Sequence, residues 1–319
     1  MLFRSFATGT YIGGFLANIL IDGNITLQVF TNKLNLEEIK FFKDYKPWGI
    51  ILFSRNINSL DQVRNLTFSI RELFKDKNFP ILIDQEGGKV NRFRKIINLD
   101  KYHAKYFGDT YKNNKEFYSK FSKFLKINIS ILKYCGININ TVPVLDLFNA
   151  DKKNVIGNRS FSKNYKIVVK LSKYLIKSYK KSGLETVIKH IPGHGCTSID
   201  SHFALPQVNL SLDYLKNNDF RTFKKVNSYL AMTAHILYKN IDPTRCATQS
   251  KKIINDIIRK YLSFRGILMS DDICMKALSG SMLKNAKLTL DAGCNVLLHC
   301  NGNLDQMKKL SLIVPEIDN

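Results

Sequence analysis

What most constrains this chain is a unit that returns eight times: a short apolar run, a polar turn, then an amphipathic stretch. The runs are Ile25 to Phe30, Gly49 to Phe53, Pro80 to Ile83, Ile137 to Val144, Leu184 to Ile188, Leu230 to Ala234, Gly266 to Met269 and Asn295 to Leu298. Each is four to eight residues of mostly β-branched or aliphatic side chains. Near-continuous hydrophobicity of that length marks a parallel strand covered on both faces. Between and after them lie helical patterns: Leu36 to Asp44, Leu60 to Phe74, Phe117 to Tyr134, Ile167 to Ser182, Leu212 to Phe223, Lys252 to Tyr261, Leu283 to Asp291 and Leu304 to Leu310.

Eight alternating β and α units in 319 residues fit a single (β/α)8 TIM barrel, although a doubly wound open sheet gives a similar string. No Gly-x-Gly-x-x-Gly follows the first strand, which removes the main support for a dinucleotide-binding open sheet. With no low-complexity linker, the expected organisation is an N-terminal extension over residues 1–20 and a catalytic barrel over 21–319. The extension is interrupted by Gly, Thr and Asn18, which suits a ragged extension better than an export signal. No run of apolar residues is long enough for a membrane span.

The 49 Lys and Arg against 26 Asp and Glu leave a net charge of +23. Such a balance attracts polyanions, but the lysines are spread over every segment, with no basic stripe or aromatic stacking platform, so no specific nucleic-acid partner is expected. Cys135, Cys196, Cys246, Cys274, Cys294 and Cys300 show no metal-binding spacing and read as free thiols in a reducing compartment.

In a barrel, chemistry comes from the strand C-termini and the loops that follow. The unusual polar residues fall there: Ser54-Arg-Asn, Asp84-Gln-Glu-Gly-Gly, Asp146, Lys189 to His202, His235 and Ser270-Asp-Asp. Singly they are weak signals, since Asp271 or Asp272 could equally cap a helix near Leu278. The stretch Lys189 to His202 is denser, holding Lys189, His190, His194, Asp200 and His202, with Pro192, Gly193 and Gly195 breaking any periodicity, so it reads as a loop with backbone freedom. Asp200, two residues before His202, is spaced to bond one ring nitrogen and leave the other for proton transfer. A metal site is the competing reading, but His190 and His194 are not a facing helical pair, and no metal or cofactor is expected. Carboxylates with a histidine acid/base suit glycoside hydrolysis, in which one group protonates the leaving oxygen and the other attacks the anomeric carbon.

Five segments, Asp84-Gln-Glu-Gly-Gly-Lys-Val-Asn-Arg-Phe, Gly157-Asn-Arg-Ser-Phe, Lys189-His-Ile-Pro-Gly-His-Gly with Asp200-Ser-His, Met232-Thr-Ala-His and Ser270-Asp-Asp-Ile-Cys-Met, resemble the glycoside hydrolase family 3 β-N-acetylhexosaminidases, the bacterial NagZ group. The resemblance runs from about Leu36 to Asn303. It implies a metal-independent TIM-barrel enzyme that removes terminal non-reducing β-N-acetylglucosamine (GlcNAc) from peptidoglycan fragments, especially GlcNAc linked to anhydro-N-acetylmuramic acid, in cytoplasmic cell-wall recycling. It implies Asp271 as nucleophile, His202 as acid/base and Asp200 as its orienting partner, with Asp84, Arg92, Arg159, Lys189 and His190 holding the sugar. Lys89 stands where the family usually has Arg. The expected partner is a peptidoglycan-derived amino sugar, with no membrane, and the expected state is a monomer. Two alternatives remain open: a β-N-acetylglucosaminide phosphorylase of the same family, and a sugar-binding protein without chemistry.

Overall fold

A computed structural model describes residues 25–149, 155–197, 199–201, 203–226 and 228–314. Among them, eight parallel strands close a barrel: β1 (Ile25–Gln28), β2 (Gly49–Leu52), β3 (Ile81–Ile83), β4 (Ile139–Asn140), β5 (Glu185–Ile191), β6 (Leu230–Thr233), β7 (Ile267–Asp272) and β8 (Val296–His299). Every strand pairs with its sequence neighbour, and β8 closes on β1 through Ile25 opposite Leu297. The TIM barrel expected from the sequence is therefore present. β4 is much shorter than the apolar run Ile137 to Val144, because Pro143 has no N–H for the ladder; the chain meets β5 again only at a bridge between Val144 and Lys189.

Side chains alternate along each strand, and the alternation builds two cores. Outward residues such as Leu27, Ile50, Ile83, Ile188 and Leu268 pack under the helices. Inward residues Ile51, Leu82, Ile139, Val187, Met232, Met269 and Leu298, with Trp48, fill the barrel. Two residues further along, the same inward parity brings Phe53, Asp84, Thr141, Lys189, Asp271 and Cys300 to the rim. The apolar plug is thus the floor of the polar cup above it.

The surrounding helices start where short polar side chains satisfy their first N–H groups. Asn35 and Glu38 form a capping box on Leu36–Asp44, Ser59 caps Leu60–Phe74, Asn114 caps Lys115–Tyr134, and Asn303 caps Leu304–Ser311. The expected helix over Leu212 to Phe223 divides at Asn218 into Leu212–Asn217 and Asp219–Lys225. Among the described residues no helix is long and apolar enough to cross a membrane.

Candidate active site

The cup is built first on the turn after β3. Gln85 staples a small hairpin, in which Gln85–Gly87 returns as Val90–Asn91, by donating to Asn91 and Asn128 at 2.9 and 3.2 Å and accepting the Arg92 N–H at 2.9 Å. The tight turn needs glycine, because a Cβ on Gly87 (φ +92°) would lie 2.4 Å from the Tyr102 carbonyl. The hairpin brings Arg92 back over the strand end, where its Nη2 meets Asp84 at 2.8 Å and its guanidinium covers the Phe53 ring at 4.6 Å. The buried Arg92 Nε finds no hydrogen-bond partner among the described residues.

Lys189, only 2% exposed, stands between two carboxylates, with its Nζ 3.0 Å from Asp84, 2.7 Å from Glu86 and 2.9 Å from the Thr141 hydroxyl. Those three contacts match the three ammonium donors, so among the described residues Lys189 ties the two carboxylates together at the rim. Arg159, in the single turn Gly157–Arg159, takes Glu86 bidentately at 2.9 and 2.8 Å. Burial would raise the Asp84 carboxyl, but Lys189, Arg92 and the Thr141 hydroxyl outweigh it and hold Asp84 well below the usual carboxylate range. Glu86 is held at about 2, again against burial, by Arg159 and Lys189. Glu86 was not among the residues expected to act; only its place in Asp84-Gln-Glu pointed to it.

His190 lies on β5 rather than in a loop, because the strand continues to Ile191. Its Nδ1 is 2.7 Å from the fully buried Asp146, which also accepts the His194 N–H at 2.7 Å. That bond places the proton of Nδ1 toward Asp146 and leaves Nε2 for the cup. Burial would raise Asp146, but His190 foremost keeps it low. His194 is different: burial, with His190 adding to it, lowers its imidazole to about 4, and its Nδ1 contacts the Thr197 hydroxyl at 2.8 Å.

Asp271 lies on β7 and caps no helix; the next one starts at Met282 and is capped by Ser281. One Asp271 oxygen accepts the Asp272 N–H at 2.8 Å. Burial would raise its carboxyl, yet His190, His235 and the Asp272 amide hold it below its ordinary value. His235, fully buried, bonds Thr248 through Nδ1 at 2.7 Å and the Asp272 carbonyl through Nε2 at 3.0 Å, fixing the strand end beside Asp271. Asp272 turns away, accepting the N–H groups of Cys274 and Cys300 at 3.1 and 3.2 Å.

The expected acid/base, His202, lies outside the described residues. Asp200 is half-buried, and its carbonyl accepts the N–H groups of Phe203 and Ala204 at 2.9 and 3.2 Å. Ser201 ties this stretch to the segment after β7 through the Ala277 N–H at 3.1 Å. The structure therefore brings Asp84, Arg92, Arg159, Lys189, His190 and Asp271 to one rim. Gly193 and Gly195, expected to give freedom, instead permit close approach. A Cβ on Gly195 would lie 2.5 Å from the Leu147 carbonyl.

A carboxylate held ionised opposite a cradle of three cations and two carboxylates, at the C-terminal mouth of a TIM barrel, defines a glycosidase-type site. Residues 20–318 match the glycosyl hydrolase family 3 N-terminal domain, and the chain belongs to that family. It is a glycoside hydrolase. A β-hexosaminidase from Nitrosomonas eutropha is 35% identical over 260 residues, 79% of this chain and 73% of the relative. One from Neisseria gonorrhoeae is 32% identical over 293 residues, 88% of this chain and 78% of the relative. The crystal structure of NagZ from Neisseria gonorrhoeae in complex with N-trifluoroacetyl-D-glucosamine superposes with a TM-score of 0.84 at 31% identity, covering 94% of this chain and 87% of that one.

Proposed function

We propose that this protein is a retaining exo-β-N-acetylglucosaminidase that releases terminal non-reducing β-GlcNAc from peptidoglycan fragments, above all GlcNAc linked to anhydro-N-acetylmuramic acid, in cytoplasmic cell-wall recycling. The observation that carries the chemistry is Asp271: a carboxylate held ionised against burial, with the cradle across the rim. The names of the relatives support the hexosaminidase specificity, and the peptidoglycan setting rests on the family resemblance. In this reading Asp84, Arg92, Arg159, Lys189 and His190 hold the sugar, with Glu86 bracing Lys189 and Arg159 and with Asp146 fixing the His190 ring.

Asp271 attacks the anomeric carbon as the glycosidic bond breaks, and His202, oriented by Asp200, gives its proton to the departing oxygen. Water, deprotonated by the same histidine, then attacks the glycosyl–Asp271 ester, releasing GlcNAc with retention and restoring the carboxylate. The catalytic domain spans residues 21–319 and acts as a monomer; residues 1–20 lie outside the described residues.

The test is release of the phenol from an aryl β-GlcNAc with and without phosphate, followed by digestion of GlcNAc–anhydro-N-acetylmuramic acid. Free GlcNAc in both reactions is expected. A sugar phosphate formed only with phosphate makes the enzyme a phosphorylase, and no release at all makes it a binding protein.

A further inference from the structure

Beneath the turn His194–Cys196 lies a buried carboxylate for which the chemistry above has no use. Asp219 opens the helix Asp219–Lys225 and is 3% exposed. Its Oδ2 accepts the Cys196 thiol, and the Cys196 backbone also bonds the carboxylate. Its Oδ1 finds no hydrogen-bond partner among the described residues. The turn is moulded onto this side chain. A Cβ on Gly195 would come within 2.7 Å of Oδ1, and one on Gly193 (φ +152°) within 2.8 Å of the Asp219 Cβ. From the other side, Asp146 holds the His194 N–H, while the Tyr238 hydroxyl donates to the Gly193 carbonyl.

We propose that Asp219 is a positioning residue: by gathering Cys196 and seating Gly193 and Gly195, its carboxylate sets the root of the loop to which Asp200 and His202 belong. This rests on the acid/base role given to His202. A buried carboxylate with an unbonded oxygen costs stability, and an apolar or amide side chain would fill the place more cheaply. Groups kept in such a state concentrate where function needs them.

The titratable groups facing Asp219 are Cys196 on the turn, Asp146 after β4, Tyr238 after β6 and Tyr214 on the helix Leu212–Asn217. Burial, with the Asp146 charge adding to it, pushes Asp219 up to about 6, the Cys196 bonds opposing the rise. Protonation below that pH weakens the carboxylate as an acceptor for Cys196, so the turn loosens as pH falls.

The test compares wild type with Asp219→Asn and Asp219→Ala over aryl β-N-acetylglucosaminides of graded leaving-group pKa. For a phenyl glycoside, kcat/KM falls by about 10-fold in Asp219→Asn and about 100-fold in Asp219→Ala, while a dinitrophenyl glycoside, which needs little acid help, keeps its rate within about 3-fold. Wild type and Asp219→Asn converge on the phenyl glycoside near pH 5 and separate above about pH 6, because the amide mimics the protonated acid at every pH. The Tm of Asp219→Asn at about pH 7.5 is equal to or above that of wild type, since a buried charge is gone. Equal losses on every leaving group, unchanged activity, or a lowered Tm with activity falling in parallel each overturn the proposal. Cys196→Ala decides the matter should the Asp219 variants not fold: a steeper leaving-group dependence supports it and an unchanged one defeats it. Wild type inactive on every glycoside would instead sink the parent reading.

Discussion

Asp84 and Asp271 stand on one rim, one inward position above the same apolar plug, and both are held below the ordinary carboxylate value. They differ in what holds them. Asp84 is bonded directly by Lys189, Arg92 and Thr141, so its lone pairs are largely committed. Among the described residues Asp271 is bonded by one backbone N–H and otherwise steadied by the field of His190, His235 and Lys189. A carboxylate ionised by contact becomes a fixed part of the wall; one ionised by field keeps an oxygen free to form a bond. Two carboxyls lowered by different means thus give a binding group on one side and a reacting group on the other.

The comparison breaks most sharply at Asp271. Asp271→Ala lowers kcat by about 10⁴-fold or more, as loss of a nucleophile does. A fluorinated GlcNAc donor labels Asp271 in mass spectra, and label on Asp272 instead would exchange the two roles. On the Asp84 side the expected loss mixes binding with folding. Asp84→Ala strips Lys189 of one partner and Arg92 of its ion pair, costing about 3 kcal/mol of stability and about 100-fold in kcat/KM. The double variant Asp84→Ala/Lys189→Met recovers much of the stability but none of the activity; recovery of both would make the cradle a mere brace.

Smaller effects sharpen the contrast behind the rim. Asp146→Asn frees the His190 ring and lowers kcat/KM by about 10-fold or somewhat more, the worth of one charged hydrogen bond, with the melting curve used to separate misfolding from misorientation. His194→Gln leaves the chemistry nearly untouched and acts on pH. Folded, His194 titrates at about 4; unfolded, a histidine titrates near 6.5, so the unfolded chain binds the extra proton between those values. Stability from neutral His194 is therefore present above about pH 6.5 and is lost as pH falls toward 4, by about 3 kcal/mol in all. Denaturant melts of wild type and variant across that window should draw together on acidification; a constant difference would mean that His194 titrates normally in the folded protein.

Strand and helix periodicity made the eight strands and most helices legible in the sequence, because an apolar run between two covered faces has few other uses. The rim was legible for a related reason: polar residues directly after such runs have only the barrel mouth to occupy, which located Asp84, Lys189, His190 and Asp271. Spacing along the chain could not say which charges would meet. Glu86 with Arg159, and Asp146 with His190, are separated by 73 and 44 residues and come together only when neighbouring strand ends are wound onto one ring. The same distance in sequence hid the meaning of Gly193 and Gly195. Read locally, glycine signals freedom; packed against Asp219 and Leu147, it signals an approach too close for a side chain. Period and parity are local properties, so the sequence alone determined the barrel and the cup. Which donors are spent, which carboxylate stays free and which glycines are pinned depend on distances between segments, and only the tertiary structure decided those.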